Sequence, residues 1–190
     1  MGGTMSEGLN APTVQIGSRD VSMAQAEATV QRQGNWFFWI AGLSLVNWAA
    51  GFMGASVAMI MGLGVTQLAT GIAQGARQSG GLLSAVLTFL SLFLTALLAG
   101  AFIFLGVQAR KIRPWAFVVG MALYALDALI FVLVGDWIAV AFHVFVLVML
   151  GVGLNAARAT RAARTASSYV MGSLGRISAA PAGPTPTDAP

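Results

Sequence analysis

One uncharged stretch, Gln33–Ala76, limits what this chain can fold into. It holds 44 residues and opens with the apolar run WFFWIAGLSLVNWAAGF. A helix that crosses a bilayer needs about 20 apolar residues, so the stretch is too long for one crossing. Glycines recur along it and disfavour two regular spans. The number of times this stretch crosses a membrane sets the topology of everything that follows.

The composition is that of an integral membrane protein. Of the 190 residues, 57% are hydrophobic and only 8% are charged, whereas a soluble domain carries about 25% charged residues. The formal net charge of +4 does not indicate nucleic-acid binding, because the basic residues flank apolar segments, where they orient a membrane protein. The chain has no cysteine and a single histidine. The sequence therefore predicts no disulfide, no metal centre and no cofactor.

The predicted fold is an all-α membrane protein: a four-transmembrane-helix bundle with an additional helix between the first and second spans. Charged or turn-forming breaks place the spans at about 36–58, 82–107, 115–134 and 137–157. The additional helix, over about 59–76, is expected either to lie in the membrane interface or to re-enter the bilayer. Both termini are expected to be cytoplasmic.

Two polar tails are predicted to flank this transmembrane domain, which covers 35–164. Residues 1–34 are expected to be mostly disordered, apart from a short helix over 23–33 that Gly34 ends or kinks. Residues 165–190 form an Ala- and Pro-rich tail that is also expected to be disordered.

The basic residues orient the predicted spans, because cytoplasmic loops are enriched in Lys and Arg. If the stretch 33–76 crosses once, nine of the ten basic residues lie inside and only Arg77 lies outside. A second crossing would move Arg19 and Arg32 outside as well, so one crossing is predicted. Six of the inside residues are candidates for contacts with anionic lipid headgroups: Arg110, Lys111, Arg113, Arg158, Arg161 and Arg164.

Asp127 is the most unusual polar residue, because it lies about 18 Å into its predicted span at 1.5 Å per residue. An aspartate near the middle of a membrane costs about 2.5–3.5 kcal/mol on insertion scales, so it should face the bundle interior and have a partner. His143 on the next span falls at nearly the same depth. The candidate intramembrane polar cluster draws on all four spans: Asn47, Thr88, Ser91, Tyr124, Asp127 and His143.

Two main interpretations of this cluster compete, and a third is that Asp127 is simply protonated or faces a partner subunit. Thr88 and Ser91 share one helix face with Ser84 and Thr95, and such small hydroxyl residues let helices pack closely and bond to each other. Alternatively, the cluster forms a path for protons or a small solute, with Asp127 changing its protonation. An enzyme is not predicted, because Asp127 is the only acid within a span and no catalytic motif surrounds it.

The sequence thus predicts a non-enzymatic inner-membrane protein with a structural, accessory or partner-binding role, and a small transporter or channel as the alternative. Its expected partners are the lipid bilayer, with anionic headgroups on the cytoplasmic face, and a second copy of the chain or another membrane protein. Small residues four positions apart, such as Ala96 and Gly100, would permit such helix–helix contacts.

Two segments in the first half of the chain carry a resemblance: WFFWIAGLSLVN over Trp36–Asn47 and GLGVTQLATGIA over Gly62–Ala73. The chain resembles a group of uncharacterised bacterial multi-pass integral membrane proteins that share an aromatic-IAGLSxxN opening and a GLGxTQ segment. The resemblance implies a location in the bacterial cytoplasmic membrane and no known activity. It marks Thr66 and Gln67, together with Asn47, as polar positions of interest.

Overall fold

The structure, a computed structural model, describes residues 13–53, 62–77 and 80–178. In this part of the chain every regular element is an α-helix, which confirms the predicted all-helical fold. Five helices follow one another: α1 (Thr13–Phe52), α2 (Gly64–Arg77), α3 (Gly81–Arg110), α4 (Pro114–Val134) and α5 (Trp137–Ser178).

Three helical segments are long and apolar enough to cross a membrane: Gly81–Arg110, Pro114–Val134 and Trp137–Ser173. Their outer faces carry large exposed apolar side chains, which lipid accommodates and water does not. α1 is not among them, because its apolar part within the described residues runs only from position 36 to position 52. The end of the predicted first span, at 54–58, and the first residues of the predicted additional helix, at 59–61, lie outside the described residues.

The helices pack side by side, with α1 between α3 and α5 and with α4 against α5 and α3. α2 contacts α3, α1 and α4. The core between them is aromatic: Phe37 is fully buried, and its ring centroid lies 6.2 Å from that of Phe102 and 5.7 Å from that of Phe117. Glycine permits this approach, because a Cβ added at Gly120 would overlap the Phe37 ring.

The connection between α4 and α5 is built from residues that stop and start helices. Gly135 ends α4 in the left-handed region, with φ 75°. The next N–H, that of Asp136, reaches back to the Phe131 carbonyl oxygen at 3.0 Å, which is the Schellman pattern. Asp136 then caps α5, since its Oδ1 accepts the N–H of Ala139 at 3.1 Å. This two-residue turn makes α4 and α5 antiparallel.

The N-terminal helix differs from its prediction. α1 runs from Thr13 to Phe52 without a break, so Gly34 does not end a helix. Gly34 is buried against the end of α3, where a Cβ would lie 3.1 Å from Arg110 Cγ. Val30, one turn earlier, is fully buried. Packing against the rest of the bundle therefore stabilises a polar helix whose own propensity is weak.

The C-terminal helix also extends further than predicted, because α5 continues past position 165 to Ser178. Its outer part is joined to α1 by the ion pair between Arg164 Nη2 and Glu27 Oε1, at 2.6 Å. Gln31 on α1 donates to the Arg110 carbonyl oxygen at 2.8 Å and accepts from Arg110 Nε at 2.9 Å. The segments 1–34 and 165–190 thus contain helix at 13–34 and 165–178, while residues 1–12 and 179–190 lie outside the described residues.

Candidate functional site

The candidate site is centred on Asp127, whose carboxylate lies inside the bundle at the start of α2. Asp127 is only 6% exposed. Its Oδ2 accepts the backbone N–H of Gly64 at 2.7 Å, and its Oδ1 accepts that of Val65 at 2.9 Å. The first N–H groups of a helix have no partner within that helix, and its N-terminus attracts negative charge. Asp127 on α4 therefore caps α2 from a different helix.

His143 on α5 completes the arrangement. It is fully buried; its Nε2 lies 3.1 Å from Asp127 Oδ2, and its Nδ1 lies 2.8 Å from the carbonyl oxygen of Ala139. A carbonyl oxygen only accepts hydrogen bonds, so we assign a hydrogen to Nδ1. One further proton then lies between Nε2 and Asp127.

The position of that proton defines two forms of the pair: a carboxylic acid beside a neutral imidazole, or a carboxylate beside an imidazolium. Both forms have no net charge, which limits the cost of keeping two ionisable groups away from water.

Aromatic rings enclose the imidazole of His143. The Tyr124 ring stacks on it at a centroid distance of 4.2 Å, and the Phe131 ring centroid lies 4.9 Å away. Tyr124 is fully buried, and its hydroxyl has no hydrogen-bond partner among the described residues. Leaving a buried hydroxyl without a partner costs about 1–3 kcal/mol. Tyr124 therefore supplies ring packing to the cluster and a hydroxyl that no described group uses.

α1 holds the residues before α2 from the opposite side. Ser44 Oγ donates to the Ile40 carbonyl oxygen at 2.8 Å and accepts the N–H of Leu63 at 3.1 Å. The amide of Asn47 lies against Gly62, where a Cβ would collide with it, and Gly62 has a φ of 148° that favours glycine. Side chains of α1 and α4 thus satisfy consecutive backbone N–H groups that have no helical partner, as buried backbone requires.

The other end of α2 is fixed to the end of α1. Arg77 Nη1 donates to the Phe52 carbonyl oxygen at 3.2 Å, and the guanidinium lies 4.6 Å from the centroid of the Phe52 ring. A guanidinium over an aromatic face is attracted to it. α2 therefore extends from the buried carboxylate of Asp127 to the level at which α1 ends.

Four hydroxyl residues share one face of α3, here called the hydroxyl stripe: Ser84, Thr88, Ser91 and Thr95. The stripe makes its hydrogen bonds to α1 and within its own helix. Trp48 Nε1 donates to Ser91 Oγ at 3.2 Å, and Ser91 Oγ donates to the Thr88 carbonyl oxygen at 2.9 Å. Thr95 Oγ1 donates to the Ser91 carbonyl oxygen at 2.8 Å. Ser91 and Thr95 are buried, whereas Ser84 and Thr88 are half-buried. Of the predicted cluster, the structure thus brings together Tyr124, Asp127 and His143, and it places the stripe beside Trp48.

The sequence did not predict the donors that Asp127 binds. They are the backbone N–H groups of Gly64 and Val65, and a pattern of side chains does not reveal backbone donors. A signal was present in the GLG segment, which contains no residue able to cap the helix that follows. Close packing also explains why position 64 is a glycine, since a Cβ there would lie 2.7 Å from Phe131 Cε2.

The two polar residues of the GLGxTQ segment lie in the first turn of α2. Thr66 is 1% exposed and its hydroxyl donates to the Leu63 carbonyl oxygen at 2.7 Å. Gln67 is half-buried and lines a groove of about 430 Å³ between α2 and α4, beside Leu68 and Ile130. Thr66 thus stabilises the turn that Asp127 caps, and Gln67 is the polar side chain of an otherwise apolar groove.

The six predicted headgroup contacts fall into two groups. Arg110 and Arg164 are held by side chains of α1. All six are exposed, but the other four form no salt bridge or side-chain hydrogen bond with the described residues: Lys111, Arg113, Arg158 and Arg161. The last two line a groove of about 540 Å³ between Pro114 and the outer part of α5.

No protein-family model, no curated protein and no solved structure matches this chain. Within residues 13–53, 62–77 and 80–178, no three His, Cys, Asp or Glu side chains lie close enough together to hold a metal ion. The contacts of Asp127 allow it to share one proton with His143 and to hold the start of α2 inside the bundle.

Proposed function

We propose that this chain is a non-enzymatic integral protein of a bacterial cytoplasmic membrane, with a structural, accessory or partner-binding role. In this proposal four helices span the membrane, both termini are cytoplasmic, and α2 re-enters the bilayer from the outside. The observation that carries the proposal is the double hydrogen bond from Gly64 and Val65 to Asp127. These hydrogen bonds give Asp127, the one acid within the predicted spans, the role of holding the backbone at the start of α2 in place.

The fourth span in this proposal is the apolar part of α1. This part lies beside both α3 and α5 and presents apolar side chains outward, with Trp39 63% exposed. A single crossing by α1 also gives the best agreement with the positive-inside rule, since it leaves only Arg77 outside. The resemblance to bacterial multi-pass membrane proteins supports the choice of membrane.

The proposal that α2 re-enters the bilayer rests on the depth at which this helix begins. Asp127 lies about 13 Å below the turn at Asp136, at 1.5 Å per residue, and α2 begins at its carboxylate. Backbone that is not helical can lie at membrane depth only where protein covers it. Ser44 and Asp127 provide this cover by accepting the N–H groups at the start of α2.

The engagement of the polar groups supports the proposed non-enzymatic role. Both oxygens of Asp127 and both ring nitrogens of His143 already have partners inside the protein. A substrate would have to break these bonds before either residue could act as a base or a nucleophile.

The topology can be tested cleanly, because the chain has no cysteine and each introduced thiol is therefore unique. We expect Gln74→Cys to react with a membrane-impermeant maleimide on intact spheroplasts. We expect Gln25→Cys and Ser168→Cys to react only after the membrane is permeabilised. Labelling of Gln25→Cys from the outside would mean that the first half of the chain crosses twice and would contradict the proposal.

Proton transfer is the second candidate function, and the proton shared between Asp127 and His143 favours it. The unused hydroxyl of Tyr124, on the same face one turn earlier, offers a further polar group. Proteoliposomes that contain a trapped pH dye separate the two candidates. A structural role predicts the proton leak of empty liposomes, whereas a proton path predicts a faster leak that Asp127→Asn abolishes.

A further inference from the structure

The groove beside Pro114 is formed by one face of α5. Its lining residues on α5 recur at helical spacing, so they share one side of the helix: Arg158, Arg161, Ala162, Thr165, Ala166 and Tyr169. The groove measures about 540 Å³. Two guanidinium groups lie on an otherwise largely apolar surface that ends in the phenol of Tyr169.

The two arginines of this groove are not neutralised within the protein. Arg158 and Arg161 are exposed, and neither forms a salt bridge or a side-chain hydrogen bond among the described residues. Arg164, on the same helix, differs, because its guanidinium is bound to Glu27. The groove therefore carries two positive charges with no anion to balance them.

The groove also lies at the end of a predicted span. Pro114 and Arg158 are the same number of residues from the turn at Asp136, so α4 and α5 place them at the same height. Trp115, next to Pro114, is 42% exposed, as is common for tryptophan at a membrane–water boundary. If the proposed topology holds, Arg158 lies at the cytoplasmic surface and Arg161 about one helical turn beyond it.

We propose that this groove binds one anionic phospholipid, with its phosphate on Arg158 and Arg161. Guanidinium groups bind phosphate oxygens with paired, charge-assisted hydrogen bonds. Pro114, at the height of Arg158, faces the glycerol and the start of the acyl chains, while Ala162 and Ala166 lie beside the headgroup and the Tyr169 hydroxyl is a donor for it. In this proposal Arg158 and Arg161 bind one lipid at a defined site, whereas the other four predicted headgroup contacts attract anionic lipids only diffusely. The inference rests on the proposed membrane topology.

Native mass spectrometry of the full chain, released from detergent and titrated with phosphatidylglycerol or phosphatidylcholine, tests the site. With two basic residues removed, Arg158→Gln/Arg161→Gln should weaken phosphatidylglycerol binding by about 30-fold and leave phosphatidylcholine binding unchanged. The matched control is Lys111→Gln/Arg113→Gln, which removes the same charge from the same end of the protein and should weaken binding less than threefold. All four residues are exposed, so both variants should keep the wild-type melting temperature.

Three results would overturn the site: no change in the groove variant, an equal loss in both double variants, or displacement of the lipid by inorganic phosphate at the same concentration. The first two would mean that any attraction is diffuse, and the third that the groove takes free phosphate. Arg158→Lys/Arg161→Lys, which keeps the charge, should bind more weakly than wild type and more tightly than the Gln variant. A failure of the topology itself would be detected separately, as labelling of Ser168→Cys from the outside.

Discussion

Asp127 caps a helix that begins 63 positions earlier in the chain, with its Oδ2 2.7 Å from the nitrogen of Gly64. A helix is ordinarily capped by a polar side chain immediately before its first turn. The residue there is Leu63, whose side chain has no group that can accept a hydrogen bond. The cap is instead supplied by α4, and His143 on α5 binds the same carboxylate oxygen. The start of α2 therefore depends on two helices that follow it in the chain.

Replacing Asp127 with Asn should unfold α2 from the bundle more readily. The amide keeps one oxygen, so the N–H of Gly64 or that of Val65 loses its acceptor. Leaving a buried donor without a partner costs about 1–3 kcal/mol in free energy of unfolding. Unfolding of the detergent-solubilised protein by SDS, followed by circular dichroism, measures the change.

Asp136→Asn is the matched control for this experiment, because it makes the same chemical change at the end of the same hairpin. Asn caps helices about as well as Asp, so the unfolding free energy should change by less than about 0.5 kcal/mol, as is usual for sites outside a buried network. If both variants are equally unstable, Asp127 is not the cap of α2.

Asp127 and His143 should be coupled energetically. His143→Leu removes the ring nitrogens and leaves Asp127 without its neutralising partner, so it should destabilise the protein. Combined with Asp127→Asn, the loss should be smaller than the sum of the single losses by about 0.5–3 kcal/mol, the range for residues in contact. His143→Leu combined with Asp136→Asn should be additive, because those two residues share no bond. Additivity in the first pair would contradict the shared proton.

The sequence predicted the helices that are strongly apolar and the depth of the polar residues within them. The sequence was enough to place Asp127 near His143. Because a two-residue turn joins α4 and α5, residues at similar distances from Asp136 along the two helices lie side by side. The cap of α2 could not be predicted in this way, since its donors are backbone N–H groups distant in sequence. Gly34 illustrates the opposite error: its low helix propensity is outweighed by close packing of α1 on Arg110, which only the three-dimensional structure contains.

The ion pair between Glu27 and Arg164 should contribute little to stability. The two side chains are 37% and 53% exposed, and exposed pairs are worth about 0–1 kcal/mol. Glu27→Gln should therefore lower the unfolding free energy by less than about 1 kcal/mol, and added salt should reduce the difference further. Arg161→Gln, which removes an arginine of the same helix without a partner, is the control. A loss above about 2 kcal/mol would indicate that the outer parts of α1 and α5 depend on this pair more than exposed pairs allow.

A methyl group added at Gly64, at the start of α2, should destabilise the protein, whereas one added at Gly71, in the middle of the helix, should not. Gly64→Ala would place a Cβ 2.7 Å from Phe131 Cε2 and displace the ring that lies beside His143, at a cost of about 1–3 kcal/mol. Gly71→Ala, on the same helix with nothing within 4 Å of its Cβ, should instead be neutral or stabilising by up to about 1 kcal/mol. Phe131→Leu should restore part of the stability lost in Gly64→Ala, because it removes the atoms that collide. Melting temperatures of the four variants in detergent measure these effects, and a loss in Gly71→Ala equal to that in Gly64→Ala would mean that α2 does not pack against Phe131.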